Sequence, residues 1–216
     1  MKYSAILLFG APGSGKGTQG KILGAVPNFY HFSCGDVFRN LRADSELGRV
    51  FLDYSGRGEL VPDEPTIQLW RRVIEGAEHD GSFNPATDTL ILDGIPRNPR
   101  QAQILKEVLD VRTVFYLSCP DMNKLVARLQ RRALRENRLD DANMGIIRSR
   151  LETYERETKP VLDFYGPEVV KQIDSTQNPV IVLRDILNAV IGATAFDTDV
   201  IKNSVHGRRP AGVSQS

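Results

Sequence analysis

The feature that most narrows the fold is one unbroken stretch, residues 4–19, SAILLFGAPGSGKGTQ. Six β-prone residues, Ser4 to Phe9, run straight into a glycine-rich turn, and a helical pattern follows Thr18. That order gathers the backbone N–H groups of Gly13, Ser14, Gly15, Lys16, Gly17 and Thr18 around one point at a helix N-terminus, where the helix dipole attracts an anion. Lys16 adds a full positive charge beside them. A merely flexible glycine loop is the bland alternative, and the agreement of strand, spacing and lysine stands against it.

Gly10 and Gly15-Lys16 fall in register with the phosphate-binding pattern G-x-x-x-x-G-K-[ST]. The next position is Gly17, so the hydroxyl that such a loop offers to magnesium arrives one residue late, at Thr18. The loop still implies a nucleoside triphosphate site, with Lys16 within reach of the β- and γ-phosphates.

Further apolar runs at 89–93, 113–117 and 169–173 suit parallel strands covered on both faces. Helical patterns at 68–78, 99–109, 121–135, 142–165 and 179–191 alternate with them. The alternation predicts an α/β fold, a parallel sheet flanked by helices. Residues 33–61 read as short helices joined by turns, an inserted lobe. The arginine-rich stretch 130–138 lacks an apolar stripe and reads as a mobile flap. From about Thr194 the periodicity fades into a loose polar tail.

A chain of 216 residues suits one domain with insertions. Hydrophobic content of 41% and charged content of 25% are those of a globular protein. A net charge of +1 argues against nucleic acid or an acidic membrane surface as the partner, so any positive cluster serves a compact anion. No stretch approaches the roughly 20 apolar residues that span a bilayer. The first apolar run leads into the glycine loop and not into a cleavage site. Cys34 and Cys119 have no C-x-x-C or histidine pattern around them, so neither a disulfide framework nor a structural zinc is expected. A reducing cytoplasm fits.

Asp93 closes the apolar run 90–93, where a phosphate-loop protein places the carboxylate that handles magnesium, directly or through its water shell. By itself an aspartate ending a strand is more often a cap or turn residue; the partnership with the Lys16 loop makes it a metal candidate. Gly94 and Pro96 shape a tight turn that throws Arg97 toward the same site. Arg39, Arg97, Arg128, Arg132, Arg138 and Arg150 complete an arginine set. Their forked guanidinium groups suit phosphate, and their number exceeds the need of one triphosphate. The competing reading of 128–138, RLQRRALRENR, is a solvated helix face or an RNA-binding strip. His31, His79 and His206 have no acid partner at useful spacing, and no general base is evident.

With these motifs together, the chain resembles the nucleoside monophosphate kinases, most closely the adenylate kinases with a short lid. GAPGSGKGTQ is similar to that family's loop, in which glycine follows the lysine and threonine comes next. HFSCGDVFR at 31–39, ELVPDE at 59–64, DGIPRN at 93–98, RLDD at 138–141 and RSRLETYERETKP at 148–160 are similar to its further segments. The likeness spans about residues 1–191.

The resemblance implies a P-loop core (1–32, 62–127, 139–193), a small helical insertion that binds the nucleoside monophosphate (33–61), a short lid (128–138) and a C-terminal tail (194–216). It implies MgATP and AMP as substrates, ADP as product, and a monomer. Lys16 and the backbone of Gly13, Ser14, Gly15, Gly17 and Thr18 would hold the donor phosphates, and Arg128 would lie against the donor adenine. Ser33, Cys34, Arg39, Leu60, Val61, Gly94, Arg97 and Gln101 would form the acceptor site, with Gln101 reading the base. Arg132, Arg138 and Arg150 would neutralise the transferring group, the last two also reaching the acceptor. Asp140 and Asp141 would secure the flap, and Asp93 would order the water around magnesium. Asn98 is common in the pyrimidine enzymes, so a UMP/CMP kinase on the same scaffold is the near alternative and an ATP-binding switch the distant one. One residue more than the family spacing separates Asp141 from Arg150.

Overall fold

The structure is a computed structural model that describes residues 2–136, 138, 141 and 143–192. Its frame is a five-stranded, wholly parallel sheet of β1 (Tyr3–Phe9), β2 (Phe29–Ser33), β3 (Thr89–Asp93), β4 (Leu109–Ser118) and β5 (Val170–Asp174). The strand order is β2-β3-β1-β4-β5, with helices on both faces, as the alternation predicts.

Strand alternation sorts the core into two layers. Ala5, Leu7 and Phe9 of β1 share one face with Leu90 and Leu92 of β3. That face is covered by α4 (Asp63–His79), α5 (Pro99–Leu105) and α8 (Val161–Tyr165), through buried residues such as Trp70, Ile74, Ala102 and Val161. Ile6, Leu8 and Ile91 point the other way, against Leu23 of α1 (Lys16–Leu23) and Val182 and Ile186 of α9 (Pro179–Gly192). A third cluster packs Leu125 and Leu129 of α6 (Met122–Glu136) on Ile147 and Leu151 of α7 (Met144–Thr153). This small core holds the arginine-bearing helices beside the glycine loop.

The structure differs from the sequence reading in four places. β2 has no counterpart among the expected strands: it is a short edge strand, FYHFS, with only Phe32 buried, so its apolar signal is weak. The helix expected at 99–109 ends at Leu105, and β4 begins at Leu109. The pattern at 142–165 is not one helix: α7 passes into a π-helical turn, Tyr154–Thr158, and Pro160, whose ring excludes a helix-interior position, separates that turn from α8. Finally, 130–138 is no separate flap: α6 ends at Glu136, as the helical pattern at 121–135 predicts, and takes in most of that stretch. Its residues are strong helix formers, and the core beneath stops at Leu129 while Leu134 is 90% exposed. Residues 33–61 hold α2 (Cys34–Arg39) and α3 (Glu46–Arg57). The tail, 194–216, lies outside the described residues.

Candidate active site

The C-terminal ends of β1, β2 and β3 open into a cleft of about 860 Å³. In an open parallel sheet this edge is where ligands bind, because the loops that follow the strands converge there.

The loop after β1 forms the floor. At Gly10 (φ 145°) a Cβ would lie 2.6 Å from the Leu117 carbonyl oxygen and from Ser14 Oγ, so only glycine fits. Gly15 (φ 101°) precedes α1, whose first N–H groups receive no side-chain cap, and a Cβ on Gly15 would meet nothing within 4 Å. The helix start thus faces the cleft with its donors unspent. Lys16 Nζ donates to the carbonyls of Gly10 at 2.7 Å and Ala11 at 3.2 Å. Burial pulls its pKa down to about 8; Asp93 opposes that change, while Arg97, Arg132 and Arg150 add to it.

Asp93 ends β3 opposite Leu8 on one side and Ser33 on the other. A Cβ on Gly17 would stand 3.5 Å from Asp93 Oδ2. Loop and carboxylate are therefore neighbours, and glycine at 17 keeps any side chain out of the space between them.

The turn after β3 carries the next group. Arg97 donates Nε–H to the Gly94 carbonyl at 2.9 Å, and Gly94 takes φ 77° to allow the turn. Gln101, only 1% exposed, borders the cleft from α5. Ser33 caps α2 by accepting from Asp36 N–H. Burial raises the Cys34 thiol to about 11, against the pull of Arg97, so Cys34 is a neutral wall of the site and no nucleophile. Arg39 is hydrogen-bonded to Asp36.

From the opposite side come α6 and α7. Arg128 donates to the carbonyls of Ser175 at 2.9 Å and Gly13 at 3.5 Å, tying α6 to the glycine loop. Arg132 and Arg150 share the wholly buried carboxylate of Asp141. Arg138 Nη2 stands 3.4 Å from Asp36 Oδ1, the same oxygen that takes Arg39.

One cleft thus brings together an uncapped helix start with Lys16, a strand-end carboxylate, and arginines from the helices α2, α6 and α7, from the turn after β3 and from beyond the end of α6. A family model described as adenylate kinase matches residues 8–170. The chain belongs to the adenylate kinase family. Among curated relatives, adenylate kinase of Parabacteroides distasonis is 38% identical over 169 residues, covering 76% of this chain and 84% of the relative. That of Thermobifida fusca is 40% identical over 176 residues, 79% and 89% of the two chains. That of a Synechococcus strain is 34% identical over 192 residues, 86% and 95%.

In this adenylate kinase family member every site residue named from the sequence borders the cleft except Asp141, which is buried behind it, and Asp140, which lies outside the described residues. Arg150 borders the cleft and Arg148 does not. Asp141 pairs with two arginines on two helices. Asn98 does not border the cleft: its side chain caps α5 and donates to Asp63, which explains an asparagine there without a pyrimidine base.

Sequence reasoning assigned nothing to Asp36. Burial pushes its carboxyl up, but the hydrogen bond from Arg39 and the charges of Arg39, Lys21 and Arg138 outweigh that and leave it below the ordinary range. The spacing Asp36–Arg39, one helical turn, was the available signal. Arg131 and Arg135 also border the cleft. Among the described residues, no group of three or more His, Cys, Asp or Glu could hold a metal, and no helix is long and apolar enough to cross a membrane. Asp93 beside the loop fits a hydrated magnesium ion, which keeps most of its waters and needs one carboxylate besides phosphate oxygens.

Proposed function

We infer that the chain catalyses reversible transfer of the γ-phosphoryl group of MgATP to AMP, giving two molecules of ADP. The observation that carries this is the single cleft with a phosphate cradle at Lys16 and a second cationic set, Arg39 and Arg97, beside Gln101. A hydrolase or an ATP-sensing switch needs only the first.

The donor phosphates sit on Lys16 and the N–H groups of Gly13 and of Gly15 to Thr18, the Ser14 N–H being taken by the Ala11 carbonyl, with Arg128 against the donor base. Arg39 and Arg97 clamp the acceptor phosphate; Leu60, Val61 and Gln101 hold its base. Arg132, Arg138 and Arg150 converge on the transferring group. The nucleophile is a phosphate oxygen already ionised at neutral pH, so no general base is required. Charge dispersal and in-line placement supply the catalysis. Asp93 would hold the water shell of a magnesium ion, which would neutralise charge on the donor phosphates. The insertion 33–61 and the short lid 128–138 exclude water, without which ATP would be hydrolysed.

The near-neutral charge supports small nucleotides over nucleic acid. Free Cys34 and Cys119 support a reducing, cytoplasmic setting, and we take the enzyme to act there as a monomer in nucleotide biosynthesis. Steady-state turnover with ATP and each of AMP, UMP, CMP and GMP tests the reading. AMP is the preferred acceptor; UMP or CMP turnover far above AMP removes the assignment.

A further inference from the structure

Gln101 does not stand alone at the acceptor site. Its Oε1 accepts the backbone N–H of Arg97 at 2.7 Å, and its Nε2 donates to Asp63 Oδ1 at 2.9 Å. The same Asp63 oxygen accepts from Asn98 Nδ2 at 2.7 Å, while Asn98 Oδ1 accepts the Gln101 backbone N–H at 2.8 Å. Asp63 opens α4, 38 residues before Gln101, and does not border the cleft.

An amide side chain can rotate and exchange its oxygen for its nitrogen, but here the partners forbid it. A backbone N–H can only donate, and a carboxylate can only accept. Turning Gln101 over would set nitrogen against the Arg97 N–H and oxygen against the Asp63 carboxylate, two repulsive contacts in a site that is 1% exposed. Asn98 is held by the same logic. By count, Gln101 keeps one N–H on Nε2 and one lone pair on Oε1 in a fixed order.

We propose that Asp63 is a positioning residue that sets acceptor-base specificity by locking the Gln101 amide. The proposal rests on the reading that Gln101 meets the acceptor base. Adenine offers N1 as an acceptor beside a 6-amino donor, which matches the remaining N–H and lone pair. A 6-oxopurine such as that of IMP has the same outline with both polarities inverted, N1–H beside O6. Against a locked amide it meets donor with donor and acceptor with acceptor. An amide free to rotate would accommodate either base.

The test measures kcat/KM for AMP and for IMP, each with saturating ATP, in the unaltered chain, Asp63→Asn, Asp63→Ala and Asn98→Ala, together with KM for ATP. Asp63→Asn keeps the shape and loses the obligate acceptor. The AMP-to-IMP ratio is expected to fall about tenfold, the scale of one hydrogen bond to a charged group, while KM for ATP stays within about twofold. Asp63→Ala removes the acceptor outright, is held to the same ratio, and carries the test alone if Asp63→Asn does not fold; Asn98→Ala leaves both partners that orient the amide and is expected to keep the ratio. A uniform loss for AMP and IMP, with the ratio unchanged, assigns Asp63 to structure and overturns the proposal. An unaltered chain that uses IMP as well as AMP also overturns it and leaves the kinase reading standing. Turnover of neither purine monophosphate overturns both.

Discussion

Arg132 donates Nε–H to Asp141 Oδ2 at 2.7 Å, and Asp141 is wholly buried. The other oxygen of that carboxylate takes Arg150, so one buried charge fixes two guanidinium groups, from α6 and α7, that border the cleft. Removing one member of a buried pair leaves uncompensated charge, at a cost of about 3–5 kcal/mol. Asp141→Ala is expected to lower the urea midpoint accordingly and, by misplacing both arginines, to cut kcat about a hundredfold. An unchanged midpoint with unchanged kcat would show that the arginines are placed by other contacts.

Lys16 supplies a pH dependence with a definite sign. Its charged form is disfavoured in the free protein, where burial holds the pKa near 8, and favoured once a phosphate lies beside it. Binding stabilisation from the ammonium is therefore fully present below pH 8 and is lost as pH rises through the free-enzyme value. We expect kcat/KM for ATP to decline above about pH 8, and kcat, which reports the loaded enzyme, to decline only at higher pH. Lys16→Arg should lose activity and lose the basic limb with it. A profile of kcat/KM that stays flat to alkaline pH would contradict this.

Arg97 presents a guanidinium whose Nε is engaged by the Gly94 carbonyl, and we propose that its forked end takes the acceptor phosphate. Lysine cannot satisfy both at once. Arg97→Lys is expected to raise KM for AMP about tenfold to a hundredfold, the worth of a charge-assisted pair, with little change in KM for ATP. Equal increases for both nucleotides would place Arg97 outside the acceptor site.

Two glycine-to-alanine substitutions should move stability in opposite directions. Gly76 is exposed within α4, and a Cβ there meets nothing within 4 Å, so alanine should stabilise by about 1 kcal/mol through helix propensity. At Gly24, just after α1, a Cβ would lie 2.5 Å from His31 Cβ on β2. Overpacking there should cost about 1–3 kcal/mol. Denaturant melts of the two variants decide it, and shifts of the same sign would mean that α1 and β2 separate more easily than their packing implies.

Much of the site was legible because its parts are local. The strand, the glycine turn and Lys16 adjoin in sequence, and so do Asp93, Gly94 and Arg97; chain connectivity alone brings each group to a strand end. β2 was missed because an edge strand buries one residue and leaves no run of apolar positions. The pattern at 121–135 marks α6, yet 130–138 also reads as a flap, because an apolar stripe marks a helix only where the helix touches a core, and that contact ends at Leu129.

The sequence by itself determined the α/β frame, the glycine loop with Lys16 and the arginine set, since residue type and short spacing specify them. Only the tertiary structure decided that Arg150 and not Arg148 meets the cleft, that Asp141 spans Arg132 and Arg150, and that Asp63 reaches Gln101. Helix phase around one extra residue selects the arginine, and contacts between distant elements select the partners of the two carboxylates. Periodicity records which face of an element is buried, not which polar group waits on the other side.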